Sequence, residues 1–212
     1  MSTDLRSRLN LRGLPNLCEL GPRFLSLDGF FRVWLQGHYG DPDNISLPSL
    51  KARVWRPEPS QSGIAIETHT AFKEHMSGNR PMLLTKRGKW SGIKLGIDSR
   101  SMGFVGPQGE RHHANLWQCG HTIFCISRQH GEVEHLAYET FQALNEYMPA
   151  IRMAFDFMAM AVVEVGDAQI VEESAGQHWA VAITIGYAVL QNWILTQDAA
   201  LLRGFDLGIN VQ

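Results

Sequence analysis

The sequence predicts an α+β fold: a mainly antiparallel sheet with a long hairpin, packed by one or two amphipathic helices and preceded by an extended N-terminal arm. Three stretches carry that expectation. After the turn formers Gln129-His130-Gly131, the residues Val133, Leu136, Ala137, Thr140, Phe141, Leu144 and Met148 recur at i, i+3, i+4 spacing, the stripe of a helix with one side on a core. In HWAVAITIGYAVL (178–190) Trp179, Val181, Ile183, Ile185, Tyr187 and Val189 alternate with Ala180, Ala182, Thr184, Gly186, Ala188 and Leu190, the period of two that sets successive side chains on opposite faces of a strand. Between them AMAVVEV (159–165) and AQIVEES (168–174) flank Gly166-Asp167, a two-residue connection that predicts a tight hairpin.

The remaining elements follow from the same periodicities. Opposite the apolar stripe of the helix lie Glu132, His135, Glu139, Gln142 and Glu146, which read as a solvated face whose first acids suit the positive end of the helix dipole; Pro149 predicts its end. Ahead of it, a strand over Cys119–Ile126 sets Cys119, His121, Ile123 and Cys125 on one face and Thr122, Phe124 and Ile126 on the other, the two-sided apolar pattern of a buried strand. The thirteen residues 178–190 would span about 43 Å at roughly 3.3 Å each, against about 17–20 Å for a typical strand, so part of that strand is expected to pair outside its own subunit. Further upstream, IAIET reads as a short strand, AFKEHM as a helical turn and PMLLTKRG as a strand ending at Gly88, while WSGIKLGIDSRSMGFVGPQGERHH is a hairpin or a long loop.

Residues 1–60 are broken by Gly21-Pro22, Gly37, Gly40-Asp41-Pro42, Pro48 and RPEPSQSG, which predicts an arm ahead of an α+β domain over 61–212. Its apolar residues, Phe24, Phe30, Phe31 and Trp34 among them, need a surface to lie against. The expectation is a neighbouring subunit or partner protein, so that removing residues 1–55 would leave a folded but poorly assembling domain. Trp179, Ile183 and Tyr187 are further interface candidates.

Composition narrows the function classes. A chain of 212 residues that is 44% hydrophobic can bury a core. With 19 basic against 21 acidic residues, a net charge of −2, no overall field draws it to nucleic acid or to an anionic membrane. Cys18, Cys119 and Cys125 are odd in number and unevenly spaced, which predicts reduced thiols in a cytosolic setting. Charges interrupt MSTDLRSRLNLRGLPNLCEL every few residues, unlike a signal peptide. No apolar run is long enough for a membrane span.

Candidate chemistry concentrates in GHTIFCISRQHGEVEH (120–135). Thiolate and imidazole are the ligands zinc prefers, which singles out Cys119, His121 and Cys125 with His112, His113 or His130, but structural zinc sites present two close pairs and here a single C-x-H has no matching partner. A Cys-His nucleophile needs a base oriented by a third group, which would be Cys125, His121 and a distant Asp. His135 and Glu139 lack the second histidine of a metalloprotease helix. Neither the P-loop, the dinucleotide fingerprint nor the nucleophile elbow occurs. TKRGKW (85–90), with Arg80 and Lys94 close by, is a basic patch beside an aromatic residue; it reads as a solvated loop ahead of a phosphate contact. No metal, cofactor or catalytic residue is expected.

The order strand (HTIFCISR), turn, helix (EVEHLAYETFQALNEYM), strand, hairpin (VEVGDAQIVEES) and long strand (HWAVAITIGYAV) resembles the tail terminators and related neck or tail-completion proteins of tailed bacteriophages over about residues 80–195. The resemblance lies in pattern and order, not in an invariant motif. It implies a non-enzymatic virion protein, assembled in the host cytoplasm. It also implies a closed homo-oligomeric ring, a hexamer, at the head–tail junction, in contact with other neck, adaptor or tail proteins. DNA would pass through its channel without specific binding, and Glu164, Glu172 and Glu173 are the channel-facing candidates. The competing reading is a small metal- or thiol-dependent hydrolase centred on Cys119, His121 and Cys125.

Overall fold

The structure, a computed structural model, describes residues 23–71, 81–93, 101–105, 111–173 and 176–195, with side chains described over 27–71, 81–93, 116–171 and 176–190. In chain order these form α1 (Arg23–Gly40), two 3-10 turns (Pro42–Asn44 and Pro48–Leu50), β1 (Ala65–Thr68), β2 (Met82–Ile93), β3 (Ser101–Val105), β4 (Arg111–Ser127), α2 (His130–Phe155), β5 (Ala159–Val165), β6 (Gln169–Glu173) and β7 (Gly176–Leu195). The strands make one seven-stranded sheet in the order β1-β2-β4-β7-β5, with β3 added to β4 and β6 to β7. β1 runs parallel to β2, and the β3–β4, β5–β7 and β6–β7 pairs are antiparallel. The fold is α+β. No helix among the described residues is long and apolar enough to cross a membrane.

The chain divides into two compact units. Residues 91–117 and 190–212 form the smaller one, in which the described residues Ser101–Val105 pair antiparallel with Asn115–Arg111. Residues 1–90 and 118–189 form the larger one. It holds both of the described helices and the core.

In the larger unit the alternation of β4 appears as expected: Cys119, His121, Ile123 and Cys125 are buried, while Thr122, Phe124 and Ile126 are half-buried. β7 repeats the pattern, with Val181, Ile183, Ile185, Tyr187 and Val189 buried and the small residues between them half-buried. The buried face of each strand lies under the helices. On the opposite face Phe124 and Ile126 pack against Ala65, Met82 and Leu84. Gly88 is required where β2 meets β4, because a Cβ there would stand 3.0 Å from the carbonyl oxygen of Gly120.

Four expectations need correction. Within the expected arm, residues 23–40 are a helix and not an extended segment, and Leu27, Phe30, Phe31, Trp34, Leu35 and Tyr39 are buried in the chain's own core. Gly37 and Gly40, which read as turn formers, are tolerated in this helix because its apolar side is covered; residues 1–22 lie outside the described residues.

Second, Gly166-Asp167 is not the hairpin turn. β5 and β6 follow one another along the same edge of β7, from Ala159↔Ala188 through Val165↔Ile183 to Gln169↔Ala180 and Glu173↔Gly176, and the Gly166 N–H still donates to the Ala182 carbonyl at 2.8 Å. The glycine therefore stays on the ladder. The long hairpin exists, but it reverses between Glu173 and Gly176, where Gly176 takes a φ of 118°, a conformation that glycine alone adopts readily. Over Gly176–Ala188 the long strand is paired within its own chain.

Third, α2 does not stop at Pro149 but runs to Phe155. Burial of Ile151 and Phe155, the latter edge-on to Phe30 at 4.6 Å, outweighs the backbone hydrogen bond that proline cannot make. Asp156 in the left-handed region at φ 55° ends the helix, and the Phe157 N–H closes onto the Arg152 carbonyl at 3.0 Å. Fourth, β2 continues past Gly88 to Ile93, so the basic stretch is strand and not loop.

Candidate functional site

His121 of β4 is held by α1, the helix that falls within the expected arm. Asp28 lies one turn before Phe31 on α1, so both reach the same point of β4. His121 Nε2–H donates to Asp28 Oδ1 at 3.0 Å, and the Thr85 hydroxyl donates to the same oxygen at 2.9 Å. The Phe31 ring sits 4.8 Å from the imidazole. Burial alone would raise the Asp28 carboxyl, but the hydrogen bonds from His121 and Thr85 outweigh it and leave the group below its ordinary value. His121 Nδ1 is buried with no hydrogen-bond partner among the described residues.

A second polar centre joins α1 to α2. Glu139, expected on a solvated face, is only 1% exposed. The 3-10 turns after α1 fold over it: the backbone N–H groups of Ser46 and Leu47 donate to its two oxygens at 2.9 and 3.0 Å, and His38 Nε2–H donates at 3.2 Å. Burial of His38 outweighs the attraction of Glu139 and holds the imidazole below its ordinary value, favouring the neutral donor. One residue further along each helix, the Tyr39 hydroxyl meets Thr140 Oγ1 at 2.9 Å. Arg53 closes the same side through Glu132 at 2.8 Å.

The two described cysteines are buried on the inner face of β4. Burial pushes the Cys119 thiol up to about 11 and the Cys125 thiol up to about 12. Both are therefore protonated at neutral pH, whereas the thiolate is the nucleophile and the metal ligand. Among the described residues no three His, Cys, Asp or Glu side chains are grouped so that they could hold a metal ion. A cleft of about 480 Å³ opens beside α1, walled by Trp34, Trp55 and Tyr147 with Gln36, His38 and Asp41 among its polar lining; neither cysteine lines it.

The interface candidates separate into two groups. Phe30, Phe31, Ile183 and Tyr187 are buried within the chain, which leaves them little surface for a neighbour, and Trp34 is buried except where it walls the cleft. Trp179 is half-buried, with its ring edge-on to His130 at 4.7 Å. The Phe24 side chain lies outside the described residues. Glu164 is exposed on β5; Glu172 and Glu173 occupy β6, their side chains outside the described residues. Lys86, Arg87 and Lys89 are exposed on β2, with the Arg87 guanidinium 5.7 Å from the centre of the Trp90 ring.

The surface that sequence reasoning missed is the outer edge of the sheet. β5 and β6 have β7 on one side and no strand on the other among the described residues. Along them Val163 is 68% exposed, Val165 45%, Ile170 53% and Val171 39%. The β-branched run was visible, but the misplaced turn folded it onto itself and hid the edge.

No protein-family model matches the chain, and no curated protein matches it.

Proposed function

We propose that the protein is a structural subunit of the neck or tail end of a tailed bacteriophage, built to assemble as a closed homo-oligomeric ring at the head–tail junction. The observation that carries this reading is the bare edge of β5 and β6, where four β-branched side chains face solvent on a strand paired on one side. A strand edge of this kind is a template for pairing with another chain, and native proteins cover it or blunt it. An interface that closes on itself covers it in every subunit at once. The hexameric copy number, the virion location, the neck or tail partners and the passage of DNA through the channel come from the resemblance in element order.

The hydrolase reading centred on Cys119, His121 and Cys125 has less support. Its thiols are buried and held protonated, and its histidine is committed to Asp28. Light scattering on the purified chain at micromolar concentration, followed by imaging, tests the ring: a discrete ring supports it, and a monomer both in solution and in the assembled particle overturns it. Elemental analysis tests the rival, since stoichiometric zinc lost on His121→Ala would favour it.

A further inference from the structure

The larger unit has two sheet edges, and their charges are opposite. β1 covers β2 only from Met82 to Thr85; from Lys86 to Lys89 the described residues supply β4 on one side and no strand on the other. This edge exposes Lys86, Arg87 and Lys89. At the far side of the same sheet, the edge of β5 and β6 exposes Glu164 and Asp167 among its valines and isoleucine, and the sequence adds Glu172 and Glu173 at the end of β6.

Two copies meeting through the same edge would set like charges opposite one another, which destabilises a strand pair. Basic edge against acidic edge does the reverse. The register shift between Val162 and Glu164 is a bulge of the kind that stops an unbroken ladder from extending across an edge, so the contact is one of side chains: the exposed valines fill it and the charges set partner and direction. We propose that copies of this chain associate head to tail, the cationic edge of β2 in one copy meeting the acidic edge of β5 and β6 in the next. This rests on the ring reading above and names its interface. It also moves Glu164 from the channel, where the resemblance placed it, to the contact between subunits.

A charge swap tests it. One variant carries Lys86→Glu and Lys89→Glu, the other Glu164→Lys and Asp167→Lys; all four residues are exposed, and circular dichroism checks that each variant is folded. Each variant alone should lose assembly by tenfold or more in concentration at half-association, and mixing the two should restore it, because every contact then pairs opposite charges again. Variants that assemble like the wild type, or a mixture that stays apart while the wild type assembles, would overturn this interface and leave the ring reading standing. A wild type that is monomeric both in solution and in the particle would remove both. Should a variant fail to fold, salt decides: a wild-type assembly that weakens as sodium chloride is raised supports the charged edges, and one indifferent to salt overturns them.

Discussion

The helices that cover β4 and the outer edge of β5 and β6 both carry carboxylates, and they treat them in opposite ways. On the helix side, buried Glu139 receives three donors and half-buried Asp28 two. A buried charge is tolerable only when its lone pairs are filled. At the edge, Glu164 and Asp167 stand in solvent beside Val163 and Val165. The first region is covered by the chain's own helices, with His121 Nδ1 a buried atom there that has no hydrogen-bond partner among the described residues. The second combines exposed apolar area with charge, the composition of a surface completed by another molecule.

The largest effect should come from removing the covered region. Deleting residues 1–55 takes away Leu27, Phe30, Phe31, Leu35 and Tyr39, each no more than 1% exposed. At about 1.5–3 kcal/mol per buried side chain, their sum matches the roughly 5–15 kcal/mol by which a domain is stable. The truncated chain should be unfolded, with no near-ultraviolet dichroism; a folded truncation would restore the arm.

Next is Glu139→Ala, which takes the acceptor from buried His38 and from the part-buried backbone N–H groups of Ser46 and Leu47. A loss of about 3 kcal/mol is expected, the upper end for stranding a buried neutral donor, read from the urea midpoint, and a loss under about 1 kcal/mol would return Glu139 to the solvated face. His121→Ala should cost about 1–3 kcal/mol through the donor withdrawn from Asp28.

Acid should loosen the same region by a defined route. His38 is depressed in the folded chain, so its contribution to stability is complete above the ordinary histidine value of about 6.5 and is lost as pH falls from there through the lowered folded value. Asp28 is also depressed; its contribution is complete above about 3.9 and is lost below that as the carboxylate protonates. Thermal midpoints should therefore fall first below about pH 6.5 and again below about pH 4. In His38→Gln the first step should disappear, and its persistence would place it elsewhere.

The smallest effect on folding should be at the edge: Val163→Ser should change monomer stability by less than about 0.5 kcal/mol while weakening association.

This division also explains what could be read from the sequence. The alternation in Cys119–Ile126 and the stripe Val133–Leu144 were legible because period alone fixes which face is buried. Glu139 was not, since a carboxylate reads as solvent-facing unless the groups that satisfy it are known, and these come from residues 38–47, more than ninety positions away. α1 was hidden by its three glycines and by apolar residues on several sides, which blur the helical stripe. Gly166-Asp167 has the composition of a turn, yet hydrogen bonding to Ala182 keeps it on the ladder.

The contrast between a closed interior and an open edge is tested most directly by the charge-swapped pair measured by light scattering beside the wild type. An assembled wild type, two dissociated variants and an assembled equimolar mixture are expected. A mixture as dissociated as its components, beside an assembled wild type, would contradict the claim that these two edges meet.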